Sequence, residues 1–491
     1  MKLKIKLLKW KAGIPVAMIR EETAVKIGVR ANDRISIKSN GNEFTTILDT
    51  IGGNFIKEDE IAISSEIIHI LNLKKSQKVD IKLAPRADSL DFIKKKLNNH
   101  QLSKKEVYEI IDDIVNNSLS DPEIALFISG MYKYGMSMKE TISLIEAIMQ
   151  SGLQLRLKKK FIVDKHSIGG IAGNRTTPLV VSICAAAGLT CPKTSSRAIT
   201  SAAGTADVIE TIAQVEFTIE ELKKIIAKVN ACMIWGGSLG IVPADAKIIQ
   251  IEKSLKIDPE SMLLASIMSK KLSMGSKYIL IDIPYGKSAK VSKDKALELK
   301  KKFEYLGKYF KKKLKCVLTD GSQPIGNGIG PALELIDIIN ILDPEKKGPI
   351  DLQNKALFLS GQIFELCKKT KKGKGIELAK EILYSGKAFE KFKAIIKAQN
   401  GSLKNLRFGK FSHDILAEKS GKIKSIDNKK INSLARIAGC PGDKFSGLYL
   451  HVHTKFPVKK AGKILTIYAE SKSRLQEAIK FYKDMKPISI E

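Results

Sequence analysis

Ser195-Ser196-Arg197-Ala198-Ile199-Thr200-Ser201-Ala202-Ala203-Gly204-Thr205-Ala206-Asp207-Val208-Ile209-Glu210 is the stretch on which the reading of this chain turns. A strand and a helix upstream stands its counterpart, Asp164-Lys165-His166-Ser167-Ile168-Gly169-Gly170. Each run combines hydroxyls, a cation and small residues where a strand gives way to a helix. Unpaired backbone N–H groups and the helix dipole then face an anion. Two such cradles imply a substrate with two phosphates, or a phosphorylated substrate together with free phosphate. A tightly packed small-residue loop would explain the alanines and glycines. It leaves Lys165 and the row of hydroxyls without a reason, since buried hydroxyls must find partners.

The surrounding pattern alternates strand and helix. Phe161-Ile162-Val163 opens a strand, Thr177-Pro178 leads into a helix over Leu179 to Ala187, a strand follows near Leu189 to Pro192, and a helix follows Gly204. After a helical stretch from about Pro243 to Met274, the sheet resumes at Tyr278-Ile279-Leu280-Ile281-Asp282. That order predicts a parallel sheet with ligands outside the carboxyl ends of its strands, where both cradles fall.

The remaining segments read as separate bodies, and 491 residues exceed one core. Residues 1–85 alternate as short strands, and the similar segments Ala17 to Lys38 and Ala62 to Lys82 suggest a duplicated unit in a small pseudo-two-fold β-barrel. Residues 86–157 read as a helical lobe, with capping boxes at Ser103 to Glu106 and Ser137 to Glu140. Residues 158–242 and 277–385 form the α/β body, and 386–491 an α+β segment. There Leu448 to His453 reads as a strand with His451 and His453 on one face; two histidines without a third ligand do not make a metal site.

Composition narrows the partners. No apolar run reaches the length of a membrane span and Met1 to Lys6 is no signal core, so a cytoplasmic protein is expected. The six cysteines lack Cys-x-x-Cys spacing, which speaks against zinc, redox and disulfide frameworks. The net charge of +32 favours polyanions. Yet the lysines are scattered, and runs such as Lys158-Lys159-Lys160 and Lys311-Lys312-Lys313 read as solvated faces, without the interleaved aromatics of a nucleic-acid site.

The two loop motifs resemble the signature of the thymidine (pyrimidine-nucleoside) phosphorylase family, and more closely that of its archaeal AMP phosphorylases, over essentially the whole chain. The resemblance implies a type II nucleoside-phosphorylase fold: an α/β body and an all-α lobe, the lobe rejoined by about 243–276, with the extra β-barrel in front and the α+β segment behind. It implies a cleft between lobes that closes during turnover, and a homodimer or larger homo-oligomer. By the same resemblance Lys165, Ser167, Thr176, Ser195 and Thr205 hold inorganic phosphate. Gly170, Ser196, Arg197, Ala198, Ile199, Thr200, Ser201, Thr205, Ser266 and Lys290 bind the nucleotide, and Asp258 donates a proton to the leaving base. His166 and Lys270 are further candidates near the base. The expected reaction is phosphorolysis of AMP, with CMP and UMP as further substrates, phosphate as co-substrate and neither cofactor nor metal. Where thymidine enzymes carry a base-binding arginine this chain has Ile251, which weakens a thymine-specific reading. The loop Asp320-Gly321-Ser322-Gln323-Pro324-Ile325-Gly326 resembles the family's Gln-Pro-Ile-Gly loop near the cleft. Three rivals stay open: a thymidine or uridine phosphorylase, a Mg²⁺-dependent anthranilate phosphoribosyltransferase on a related fold, and a polycationic RNA-binding protein.

Overall fold

Strand β1 (Lys2–Leu7) buries Leu3 and Ile5 and turns Lys2 and Lys4 outward, the two-residue period of a strand with one face on a core. The computed structural model describes all residues except 9–14, 199–200, 238–239 and 405. It closes β1 with β2 (Val16–Arg20), β3 (Arg34–Ser39), β4 (Asn42–Ile51), β5 (Glu60–Ile63) and β6 (Lys78–Leu83) into a barrel in the order β1-β5-β2-β4-β3-β6. Helix α1 (Glu21–Ile27) follows β2 as α2 (Ser65–Leu71) follows β5. β1 runs parallel to β5 and antiparallel to β6, just as β4 runs parallel to β2 and antiparallel to β3. The unit β2-α1-β3 is thus repeated as β5-α2-β6, over the two segments whose sequences are alike.

Helices α3 (Ser89–Leu97), α4 (Lys104–Val115), α5 (Asp121–Tyr134) and α6 (Met138–Gln150) follow. In α4 the buried residues are Val107, Ile110, Ile111 and Ile114, a stripe at helical spacing. The barrel and these helices form one compact unit, Met1–Ser151 with Pro243–Met262, the returning segment carrying α10 (Pro243–Leu255) against α4 and α5.

The second unit comprises Gly152–Val242 and Leu263–Glu491. It opens with β7 (Val163–Ser167), α7 (Thr176–Ala186), β8 (Cys191–Ser195), α8 (Thr205–Ile209), α9 (Ile219–Val229) and β9 (Ala231–Trp235). After α11 (Glu260–Ser273), which begins in the first unit, come β10 (Tyr278–Tyr285), α12 (Lys293–Tyr309) and β11 (Lys313–Asp320). The strands pair in parallel as β11-β10-β7 and β8-β9, joined by a bridge between Ile162 and Thr190. All five carboxyl ends share one edge. Strands β7 and β8 begin and end later than the sequence reading placed them, running on to Ser167 and Ser195, while β10 begins at Tyr278 as expected.

After β12 (Gly328–Ile329), helices α13 (Pro331–Leu342), α14 (Ile350–Leu366), α15 (Gly375–Tyr384) and α16 (Lys387–Ala398) complete this layer, α16 packing on α7 and α9. The chain ends in β13 (Phe411–Leu416), β14 (Gly421–Ile426), α17 (Asn428–Ala438), β15 (Gly447–Leu450), β16 (Pro457–Val458), β17 (Lys463–Ala469), α18 (Lys472–Met485) and β18 (Ile488–Ile490). Strand β15 stops at Leu450, short of the histidines expected on it. His451 instead bonds Thr466 Oγ1 at 2.8 Å and His453 bonds Asn327 Oδ1 at 3.2 Å.

Candidate active site

Two loops leave neighbouring strands on the carboxyl edge, 168–175 between β7 and α7, and 196–204 between β8 and α8. In the first, the Lys165 ammonium donates to Thr176 Oγ1 at 2.6 Å, bringing two of the expected phosphate ligands together inside the protein. Asn174 Nδ2 reaches Ser167 Oγ at 3.4 Å. Burial pushes the Lys165 ammonium down to about 7; Asp282 opposes this, while Lys355, Lys193 and Arg175 add to it. A fully buried cation facing other cations calls for an anion.

In the second loop, Thr205 Oγ1 accepts from Arg175 Nη1 at 3.0 Å, and the same guanidinium reaches the Ala203 carbonyl and pairs with Glu334 at 2.6 Å. Arg175, which the sequence reading passed over, therefore ties this loop to Glu334 of α13. The side chain of Arg197 is engaged elsewhere: both its terminal nitrogens bond Glu210 at 2.7 Å, one also bonds Glu216, and the guanidinium lies 4.6 Å from the Trp235 ring centre. Ser195 Oγ donates to the Ile234 carbonyl at 3.2 Å and Ser201 Oγ to the Ala203 carbonyl at 2.8 Å.

The loop owes its shape to Asp207, one of whose oxygens accepts from both Ala198 N and Gly204 N at 2.7 Å. Asp337 does the same for Asn327 N and Gly328 N beyond β11. Helix α8 is only five residues long, so its dipole is small. Ile199 and Thr200 lie outside the described residues.

Beneath the loops runs a buried ion chain. Asp164 takes Lys193 at 3.3 Å on one oxygen and Lys271 at 2.6 Å on the other; Asp282 pairs with Lys355 at 3.3 Å and accepts from Thr319 at 2.6 Å. Four lysines, 165, 193, 271 and 355, thus face two carboxylates. Burial and the lysines 193, 271, 270 and 165 hold the His166 imidazole well below its usual range, so it is neutral. Lys271 fastens α11 to β7. One residue before it, Lys270 Nζ donates to Ser266 Oγ at 2.7 Å, joining two more of the expected residues on that helix.

Lys290 and Gly170 meet at their backbones. A Cβ on Gly170 would lie 2.9 Å from Lys290 Cβ, and the φ of +91° there is itself a conformation side chains rarely adopt. Lys290 lines a cavity of about 420 Å³ together with Tyr285, Lys287 and Lys293. A larger cavity of about 730 Å³, lined by Asp343, Lys387 and Phe389 among others, holds none of the expected residues. Asp258 belongs to the first unit, where it is exposed just ahead of α11.

The α/β domain of the glycosyl transferase family matches residues 159–389, and that family's helical bundle domain matches residues 90–152. Among solved structures, anthranilate phosphoribosyltransferase from Thermus thermophilus shares the fold at a TM-score of 0.53 and 19% identity, covering 63% of this chain and 100% of its own. Family match and fold together define a glycosyl-transferase-type enzyme built on a parallel sheet. At the level of sequence, AMP phosphorylase of Pyrococcus furiosus is 42% identical over 100% of this chain and 98% of its own length, and that of Thermococcus kodakarensis 41% over the same shares. A putative thymidine phosphorylase of Legionella pneumophila is 37% identical over 94% of this chain and 90% of its own. The chain belongs to the AMP phosphorylase family.

Proposed function

We propose that the protein cleaves AMP by phosphorolysis, releasing adenine and forming ribose 1,5-bisphosphate. The observation that carries this reading is Lys165: a buried ammonium with a hydroxyl partner in a field of cations is a seat for inorganic phosphate. Thr176, Ser167, Ser195 and Thr205 surround it in this reading. The second anion falls to Lys290, which lies against Gly170 and whose cavity with Lys287 and Lys293 suits a 5′-phosphate. With the Arg197 side chain committed to Glu210, the loop from Ser196 to Ser201 meets the nucleotide through its backbone and hydroxyls.

Phosphate attack on the anomeric carbon breaks the N-glycosidic bond and leaves negative charge on the base, so a proton delivered to the base lowers the barrier. Asp258 takes that role. A neutral His166 supplies hydrogen bonds near the sugar, not charge. The atoms balance without a cofactor, and activity is expected to survive a chelator. CMP and UMP are candidate further substrates. A cytoplasmic homodimer or larger homo-oligomer belongs to the same reading, and light scattering checks the assembly.

A thymidine-type reading is disfavoured because Ile251 is buried and apolar where a base-binding arginine would be needed. The deciding experiment compares phosphate-dependent base release from AMP, CMP, UMP, adenosine and thymidine, in wild type and Lys290→Ala. AMP should be preferred over adenosine, and the substitution should erase that preference. Equal use of nucleoside and nucleotide by the wild type would end this reading.

A further inference from the structure

Helix α17, in the chain's last segment, touches four of the five loops that leave the carboxyl edge, those after β7, β8, β10 and β11, through two side chains one helical turn apart. Asn428 is fully buried at the first turn, fixed there by Asp427, whose carboxylate accepts from Lys429 N and Lys430 N. Its Oδ1 accepts from Ala172 N at 3.0 Å, in the loop after β7. Its Nδ2 donates to Ser288 Oγ at 3.0 Å, after β10, and to the Gly321 carbonyl at 3.1 Å, after β11. Asn432 Oδ1 accepts from Ala202 N at 3.0 Å, in the loop after β8. The methyl groups of Ala172 and Ala202 sit in the same apolar core as Ile431, Leu434 and Leu450 of this segment.

We infer that Asn428 and Asn432 are positioning residues: α17 sets the spacing between the phosphate loop, the Ser196 to Thr205 loop and the loop carrying Lys290. This rests on the phosphorolysis reading for what the loops hold. Both amide partners are buried backbone N–H groups, which have no water to turn to when the asparagine is lost. Asn428 must also donate twice, which a carboxylate cannot do; Asn432 needs only to accept. Aspartate should therefore replace Asn432 and fail at Asn428.

The test uses the full chain with Asn428→Asp, Asn428→Ala, Asn432→Ala and Asn432→Asp. It measures KM for AMP and phosphate, kcat, thermal melting, and hydrogen exchange at peptides carrying Ala172 and Ala202. Asn432→Ala should raise KM for AMP by roughly tenfold, since ångström-scale misplacement of a binding loop is costly, and expose the Ala202 amide to exchange. Asn432→Asp should restore both. Asn428→Asp should raise KM for AMP while keeping the Ala172 amide protected, and Asn428→Ala should lose that protection too. Unchanged KM values with only a lowered melting point or a smaller active fraction would overturn the inference, as would an Asn432→Asp variant as impaired as Asn432→Ala. Should the Asn428 variants not fold, the Asn432 pair decides. A wild type that does not phosphorolyse AMP defeats the functional reading alone, because the exchange pattern still reports whether α17 holds the loops.

Discussion

At the scale of single residues, Lys165 concentrates the physics of the site. Burial takes its ammonium from 10.5 down to about 7. The unfolded chain keeps that proton to higher pH, so between about 7 and 10.5 the unfolded state binds more protons and this residue's destabilising effect fades as pH rises. A bound anion does the opposite, favouring the ammonium, so binding takes up a proton and weakens as pH climbs above about 7. Sulfate, whose charge is constant through neutral pH, is the right probe. As a competitor of phosphate its inhibition constant should rise above pH 7, approaching about tenfold per unit. Lys271 is pushed down likewise, by burial against the pull of Asp164, so Lys165→Met is the needed control. That variant should bind sulfate weakly and with a flat profile; a slope that survives in it would place the proton uptake elsewhere, and a flat wild-type profile would mean that binding takes up no proton.

Among elements, the helices of the first unit show how local chemistry fixes boundaries. Ser137 and Glu140 form a reciprocal cap at the start of α6, and Glu140 does more: it accepts from Leu102 N at 3.0 Å and pairs with the buried Lys96 at 3.2 Å. Burial works to raise its carboxyl, yet the donors of Leu102, Ser137 and Lys96 win and hold it below the usual range. Ser137→Ala should cost about 1 kcal/mol in urea unfolding, an ordinary cap loss. Glu140→Ala should cost about 3 kcal/mol, because it strands Lys96 without a partner. Equal losses would reduce Glu140 to a cap. The Ser103 and Ser137 boxes were legible in sequence because serine and glutamate lie three residues apart; the third, Ser120 with Glu123, was masked by Asp121-Pro122, which reads as a helix start by itself. The strand-to-helix loops were legible for the same local reason. Arg175 and Asn428 were not. Their partners Thr205, Glu334, Ala172 and Gly321 stand far along the chain, and a lone arginine or asparagine gives no pattern until the fold brings them together. The partners of Arg197 were hidden in the same way: it sits among hydroxyls in sequence, while Glu210 and Glu216 hold its side chain in space.

Over the whole molecule, 84 lysines and arginines against 52 acids set a field that no single contact expresses. Most of the lysine runs are solvated, Lys158, Lys159 and Lys160 being exposed as the sequence suggested, so their charge acts at a distance and is screened by salt. The buried lysines of the site respond differently, since ions in solution do not reach Lys193 or Lys271. These two populations separate in one measurement. Raising ionic strength from about 0.01 M to about 0.3 M shortens the Debye length from about 30 Å to below 10 Å. With phosphate saturating, kcat/KM for AMP should fall across that range while kcat stays level, because the surface field gathers the dianion but takes no part in the chemistry. Adenosine, lacking the phosphate, should show little salt dependence at whatever rate it reacts. Parallel salt curves for the two would mean that the surplus charge does not serve this substrate, and tight RNA binding with a steep salt slope would then give the lysines another purpose.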